Sequence, residues 1–282
     1  MHGADVTGKA GVQELKVELT TWRRLGVASA LAGLGIAGCS EETPDTVTQA
    51  AQAGEAGEAG EAGESGEGGI DVTAAGRDPV AYASALALAG AHVLAARDAY
   101  RIGEREAAAE MFAHPVSEVL LEMEPVFAER GVADMKPLFN AASRAALDGA
   151  EVAAIDAQAE EILVALSSAR DKGPGSASSR AVVAGQVIAD QIERAGGMYR
   201  QAREEPLYAP YLDGYGFYRA AAEEFARSSD EIAAQNKMLH SRIEAALALL
   251  AKAYPGAARP DRLTVDAGEL SGASAAVMLA AT

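Results

Sequence analysis

Residues 217–253 read FYRAAAEEFARSSDEIAAQNKMLHSRIEAALALLAKA and form the longest stretch of helical periodicity in the chain. Residues recurring at intervals of three and four fall on one face of an α-helix. The stripe consists of Phe217, Ala221, Phe225, Ser228, Ile232, Gln235, Leu239, Ile243, Ala246, Leu250 and Ala253. Ser228 and Gln235 are polar interruptions in it. The pattern predicts a long amphipathic helix with one buried face.

The same periodicity recurs across residues 78–256 and predicts an all-helical domain. Stripes of this spacing occupy residues 82–100, 152–166 and 184–199, and no stretch alternates apolar and polar residues long enough to indicate a sheet. Breakers place the joints at Gly103, His114-Pro115, Pro125, Gly131, Gly149, KGPGSASS (172–179), residues 206–216 and Pro255-Gly256. We therefore expect an all-α antiparallel bundle of about six or seven helices. The KGPGSASS loop would divide it into two halves, and residues 257–282 would form a weakly structured tail with at most a short final helix.

Residues 1–38 have the order of a secretory signal peptide. Trp22-Arg23-Arg24 precedes the apolar segment LGVASALAGLGIAG, which is too short to span a bilayer. Ile36-Ala37-Gly38-Cys39 resembles the lipobox of bacterial lipoproteins, in which the cysteine is acylated and becomes the mature N-terminus. Cys39 is the single cysteine of the chain, so no other thiol is present for a disulfide, a thiolate metal site or nucleophilic catalysis. The alternative is an ordinary secretory signal with an incidental cysteine.

Residues 39–77 are predicted to be a lipidated N-terminus followed by a disordered acidic linker. The run GEAGEAGEAGESGEGG (54–69) has a three-residue glycine period but no proline, which argues against a collagen triple helix. Glycine freedom and repulsion between the glutamates favour an open spacer instead. Resemblance to lipoproteins implies, from Ser40 after the cysteine, an outer-membrane anchor facing the periplasm.

The acidic charge of the chain limits its partners. The formal net charge is −17 at pH 7, so phosphate backbones and anionic lipid headgroups repel the protein. Nucleic acid is therefore not expected as a partner. Contact with the lipid bilayer is expected through acyl chains on Cys39.

The motif inventory predicts that the protein is not an enzyme. The chain has no phosphate-binding glycine loop followed by Lys-Ser/Thr, no dinucleotide fingerprint and no His-Glu-x-x-His pair. Three histidines of the helical domain remain as candidates for binding chemistry, namely His92, His114 and His240. A tyrosine cluster also remains.

His92 lies in GAHVLAARDAY among small apolar side chains. An imidazole there needs a partner, because a buried unsatisfied group costs about 1 to 3 kcal/mol. It is either a core histidine bonded to a carboxylate or carbonyl, or a metal ligand. The helix of His92 runs to Gly103, and a short helix then returns to His114. That path predicts that the two imidazoles lie at one level of the bundle.

His114 opens the segment HPVSEVLLEMEP. Pro115 suits the first helical position, which predicts His114 as an N-cap with Glu118 one turn above it. The two can share a metal ion or only a hydrogen bond. His240 and Glu244 repeat the spacing and are expected to be a solvated pair. A shared site of His92, His114 and Glu118 would suit Fe, Mn or Zn.

The segment EEPLYAPYLDGYGFYRAAAEEF concentrates tyrosines around one aspartate. One interpretation is a hydrophobic plug that closes the end of the bundle, with phenol groups reaching water. The other is a ligand mouth, because phenols and acidic groups together suit hard cations such as ferric iron. The mouth would consist of Tyr208, Tyr211, Asp213 and Tyr215.

The segments AHVLAARDAY, HPVSEVL and YLDGYGFYRAA resemble a family of uncharacterised helical lipoproteins and periplasmic proteins of Gram-negative bacteria. More distantly, the chain is similar to the imelysin-like iron-uptake proteins, whose helical domains carry a Gly-x-His-x-x-Glu metal motif. Gly90, Ala91 and His92 match its first three positions, whereas Ala95 stands where that family has Glu. The resemblance implies a periplasmic domain that binds an iron-type metal, with Glu118 as the substitute carboxylate.

Two classes of function follow from these patterns. The first is a tethered metal-binding or solute-binding module that hands iron or another ion to an envelope transport protein. The second is a structural or interaction scaffold of the cell envelope without a small ligand. Converging His and Glu side chains would favour the first, and an exposed apolar groove the second.

Overall fold

The computed structural model describes residues 69–282, and the structural statements below concern that part of the chain. The signal peptide, Cys39 and all but the last residue of the Gly/Glu repeat lie outside the described residues. The described chain is helical throughout and contains no strand, so the all-α prediction is confirmed.

Ten α-helices and one π-helical turn follow one another in residues 69–282. They are α1 (Val72–Ala75), α2 (Pro79–Arg101), α3 (Arg105–Pro115), the π turn (Val116–Leu120), α4 (Glu124–Glu129), α5 (Lys136–Leu147), α6 (Val152–Arg170), α7 (Arg180–Glu204), α8 (Tyr208–Gln235), α9 (Lys237–Ala253) and α10 (Ala267–Ala281). The number exceeds the expected six or seven because short helices such as α4 fill the joints and the longest stripe is divided. In addition, α1 forms at the end of residues 39–77, where the sequence predicts a disordered linker.

Helix α2 is the centre of the bundle. The side chain of Asp78 caps it by accepting from the Val80 N–H at 2.9 Å, and Pro79 occupies the first turn. The helix packs against α3 and α6, which precede the KGPGSASS loop, and against α7 and α8, which follow it. The two expected halves therefore share one core. Among the described helices, α2 alone has the length and hydropathy of a membrane span, but 67% of that window is buried inside the bundle.

Helices α2 and α8 approach each other closely because small residues meet at the crossing. A Cβ built on Gly216 would lie 2.5 Å from the backbone oxygen of Ala91 and 3.0 Å from the Cβ of Ala95. Only glycine fits there. Asp213 lies about one turn before Gly216, and His92 about one turn before Ala95, so this crossing sets the level at which the two polar side chains meet.

The long stripe of residues 217–253 is two helices rather than one. Helix α8 ends at Gln235, and Asn236 caps α9 by accepting from the Leu239 N–H at 3.0 Å. The polar interruption at Gln235 marks the junction. The expected joint at residues 206–216 is also shorter than predicted, because α8 already begins at Tyr208.

Residues 257–282 differ from the weakly structured tail that the sequence predicts. Asp266 caps α10 by accepting from the Glu269 N–H, and α10 packs against α7 and α9. Leu270 and Val277 are buried in these contacts. Packing of an apolar face supplies helical stability that local sequence signals do not reveal.

Candidate metal site

Four polar side chains from separate elements converge beside α2. His92 comes from α2, His114 from the last turn of α3, Glu118 from the π turn and Asp213 from α8. One ligand atom each of His92, His114 and Asp213 lie within 4.8 Å of one another. The Oε2 atom of Glu118 lies 3.6 Å from the Nε2 atom of His92. We call these residues the His92 cluster.

The tautomer of His92 is set by its own helix. The Nδ1 atom lies 3.0 Å from the carbonyl oxygen of Leu88, which can only accept, so Nδ1 carries a proton. In the neutral ring, the Nε2 lone pair therefore faces the carboxylates. Metal-ligating histidines commonly have this arrangement, in which the second nitrogen donates to a carbonyl and fixes the ring.

The distances around His92 match a shared ion better than a set of hydrogen bonds. Its Nε2 atom is 3.5 Å from the Oδ1 atom of Asp213 and 3.6 Å from the Oε2 atom of Glu118, both long for a hydrogen bond. Two ligands bound at about 2.1 Å to one tetrahedral ion lie roughly 3.4 Å apart. The Oδ1 atom of Asp213 is buried and accepts no hydrogen bond within residues 69–282.

The electrostatic potential at His92, set by two nearby carboxylates, favours a positive charge. Burial opposes protonation of the imidazole, yet the nearby acceptor oxygen and negative charge of Asp213, together with the charge of Glu118, raise its pKa above the ordinary value. His92 is only 5% exposed, so the two carboxylates act on it with little solvent screening. A proton on His92 and a metal ion are thus alternative positive charges for this position.

The prediction that His114 caps a helix is wrong. His114 lies in the last turn of α3, and the chain continues through Pro115 into the π turn. Proline has no N–H and its ring crowds the preceding turn, and the wider turn of a π-helix accommodates both effects. The ring centroids of His92 and His114 are 5.6 Å apart, so the path through Gly103 does bring the two imidazoles together.

The residues of the proposed ligand mouth separate into two groups. Asp213 belongs to the His92 cluster, whereas the tyrosine hydroxyls hold parts of the bundle together. Tyr208 donates to the Ala257 carbonyl at 3.0 Å, Tyr211 to the Gly256 carbonyl at 2.7 Å and Tyr215 to Asp98 at 2.9 Å. Burial raises the pKa of Tyr208 to about 12, so its phenol stays protonated. The phenol groups thus bond to carbonyl and carboxylate partners within the fold.

His240 lies apart from the His92 cluster. Its Nε2 atom is 2.9 Å from the hydroxyl of Ser229, and its Nδ1 atom is 3.4 Å from Glu244. The Phe225 ring lies against the imidazole with centroids 5.1 Å apart. These contacts describe a local pair at the α8 to α9 junction.

The sequence pattern placed Asp213 in the tyrosine ligand mouth, whereas in the structure Asp213 belongs to the His92 cluster. The Asp-Gly-Tyr-Gly segment contained a usable signal, because Gly214 and Gly216 inside an otherwise helical pattern indicate that another element approaches closely. Asp213, which comes immediately before the first of these glycines, is carried into that contact. The identity of the partner helix, α2, is a long-range property of the fold.

No protein-family model, curated protein or solved structure matches this chain. Function is therefore inferred from the geometry of the site.

Proposed function

We propose that the protein binds a divalent first-row transition-metal ion, of the Fe, Mn or Zn type, through His92, His114 and Asp213, with Glu118 as a further carboxylate ligand. One observation carries the proposal. The buried Oδ1 atom of Asp213 lies 3.5 Å from the Nε2 atom of His92. This Oδ1 atom has no hydrogen-bond donor in residues 69–282. A metal ion supplies the missing partner for both atoms.

The charges and the ligand chemistry are consistent with such an ion. Two carboxylates balance a divalent charge, and two neutral imidazoles add nitrogen ligands, a mixture that suits Zn²⁺, Fe²⁺ and Mn²⁺. The side chains of Asp213 and Glu118 are 20% and 23% exposed, so the cluster opens towards solvent. An ion can therefore enter and leave without unfolding of the bundle, as a carrier requires.

The proposed cellular role joins the site to the N-terminal sequence. A lipid anchor at Cys39 and an acidic spacer would hold the bundle near the outer membrane on its periplasmic side. The module would then capture an ion and pass it to an envelope transport protein. The lipobox-like segment and the single cysteine support this role.

A scaffold function without a small ligand is the second candidate. Met238 and Leu279 are large apolar side chains that are 67% and 80% exposed. They flank a link between the start of α9 and the end of α10, where the Asn236 side chain donates to the Ala280 carbonyl. Such a corner suits contact with another envelope protein.

Calorimetric titration of the metal-stripped protein with Zn²⁺ and Fe²⁺ separates the two candidates. We expect one ion per chain in the wild type and at least a tenfold loss of affinity in His92→Ala, His114→Ala and Asp213→Asn, because each removes a ligand. His240→Ala is the matched control and should bind like the wild type. Equal heats in all variants, or none in any, would favour the scaffold.

A further inference from the structure

A cleft of about 370 Å³ lies between α2, α6, α7 and α8, and its lining includes none of the His92 cluster. This volume is at the lower end of the range for small-molecule sites. Apolar side chains form most of the walls, namely Leu86, Leu94, Leu163, Val164, Leu166 and Val187. Gly90 also lines the cleft, and the space beside it is empty, because a Cβ built there would lie no closer than 3.9 Å to any side chain.

Gln191 contributes an unpartnered polar group to this cleft. The residue is 1% exposed and lines the cleft. Its Nε2 atom donates to Asp190 at 2.9 Å, which fixes the orientation of the amide. Its Oε1 atom is buried and accepts no hydrogen bond from the described residues. A buried acceptor without a donor costs about 1 to 3 kcal/mol, so a ligand that brings a donor would recover free energy.

The charged residues at the rim of the cleft determine which ligand charge is favoured. Both guanidinium nitrogens of Arg170 donate to Glu224, at 2.6 and 2.7 Å, and Arg227 donates to the same carboxylate at 2.8 Å. The two cations of the rim are thus engaged with one glutamate. Glu160 and Glu223 also line the cleft, which gives the lining three glutamates against two arginines. Glu223 pairs with Arg219 at 3.3 Å, so the excess negative charge resides mainly on Glu160. A cationic donor suits this environment, whereas an anion does not.

We propose that the cleft binds a small amphiphilic amine. The apolar body packs against the leucine-lined walls, and the ammonium group donates to the Oε1 atom of Gln191 at the floor. The glutamates of the rim add attraction for its charge. This binding function is separate from the metal site, because the cleft and the His92 cluster share no residue.

Titration of isotope-labelled, metal-stripped protein with n-hexylamine, followed by NMR, tests the proposal. We expect saturable shifts of the Gln191 side-chain amide and of α2 and α8 signals, and none with hexanoate. The n-hexanol arm should bind more weakly than the amine, since it has a donor but no charge. Gln191→Leu removes the acceptor and should weaken amine binding about tenfold. Gln201→Leu makes the same change at an exposed position of α7 and should bind like the wild type.

A cleft-filling variant keeps the test decisive if Gln191→Leu does not fold. Ala220 is half-buried and lines the cleft, so Ala220→Leu should abolish amine binding while the melting transition remains cooperative. Absence of saturable shifts in the wild type would overturn the proposal. Binding of hexanoate as tightly as the amine, or unchanged amine binding in Ala220→Leu, would overturn it as well.

Discussion

Two polar clusters join α2 to α8, and they differ in how their hydrogen-bonding groups are used. In the first, Asp98 is 8% exposed and accepts from the Tyr215 hydroxyl at 2.9 Å, from Arg101 at 3.1 Å and from Arg219. We call these residues the Asp98 cluster. In the His92 cluster, the Nε2 atom of His92 stays 3.5 Å from Asp213 and 3.6 Å from Glu118.

The contrast distinguishes polar side chains that stabilise the fold from polar side chains that are available to bind a ligand. Both clusters include residues of α2 and α8, and the Asp98 cluster shows that the packing of these two helices can bring donors and acceptors to full hydrogen-bond distance. Buried polar groups in folded proteins are paired as a rule, and an unpaired group requires a specific reason. The Asp98 cluster follows the rule and fixes the register of the helices. The His92 cluster departs from it, and the proposed metal ion would supply the reason.

The largest effect is expected from separating the two helices. In Gly216→Ala, the new Cβ would lie 2.5 Å from the backbone oxygen of Ala91, so α8 must move away from α2 and both clusters are disturbed. We expect a loss of about 3 kcal/mol of unfolding free energy and weaker zinc binding. Urea denaturation measures the first effect and calorimetry the second. Gly196→Ala is the control, because nothing lies within 4 Å of its added Cβ. Equal stability of the two variants would show that the crossing is not tight.

Disrupting the Asp98 cluster alone should lower the free energy of unfolding less than Gly216→Ala does. Asp98→Ala leaves Tyr215 and Arg219 without their shared acceptor, which we expect to lower the unfolding free energy by about 2 kcal/mol. That figure allows for the partial exposure of the arginines, of which Arg219 is 28% exposed. Urea denaturation of the metal-free protein provides the measurement. A change below about 0.5 kcal/mol would mean that the paired cluster is not structural.

Glu224 is a further paired group, and the pH dependence of its contribution to stability tests whether such pairing stabilises the fold. Burial opposes the charge of Glu224, but hydrogen bonds and charges from Arg170 and Arg227 outweigh it and lower the pKa below the ordinary 4.5. Because the folded-state pKa is lowered, the stability from this charge is complete above about pH 4.5 and is lost as the pH falls through the folded-state pKa. Urea denaturation between about pH 6 and pH 3 should show the advantage of the wild type over Glu224→Gln shrinking only below about pH 4.5. A constant difference would contradict the paired state.

The smallest effect is expected from the His92 cluster itself in the absence of metal. Asp213→Asn removes a carboxylate whose Oδ1 atom has no hydrogen-bond donor in the described chain. With chelator, at a pH above the raised pKa of His92 so that its imidazole is neutral, we expect a stability change below about 1 kcal/mol in either direction. Thermal and urea unfolding provide the measurement, with Asp98→Ala as the comparison. A loss as large as that of Asp98→Ala would assign Asp213 a structural role.

Local sequence signals were sufficient for most of the helical architecture. The Asp78-Pro79 start of α2 and the KGPGSASS loop between α6 and α7 are visible because caps and breakers act on the neighbouring backbone. The division at Asn236 and the formation of α10 were harder to predict. The division at Asn236 has a local signal in its capping side chain, but the periodic stripe runs through it and obscures it. The formation of α10 depends on packing against α7 and α9, which periodicity within one segment does not encode.

The candidate site shows the same limit. His92 and His114 belong to consecutive helices, so the short connection through Gly103 was enough to predict their proximity. Asp213 follows His92 by more than a hundred residues, and its position depends on the crossing of Gly216 with Ala91 and Ala95. Glu118 reaches His92 from a π turn whose form follows from Pro115, whereas the sequence pattern favoured a new α-helix there.

Anomalous X-ray diffraction from crystals of the metal-stripped protein soaked with Zn²⁺ tests most directly whether the His92 cluster binds a metal ion. We expect one peak about 2.0 to 2.2 Å from His92 Nε2, a ring nitrogen of His114 and a carboxylate oxygen of Asp213. The Asp98 cluster should show no peak, since its acceptors are already occupied. Zinc found only elsewhere, such as between His240 and Glu244, with His92 and Asp213 still unligated, would contradict the proposed metal site.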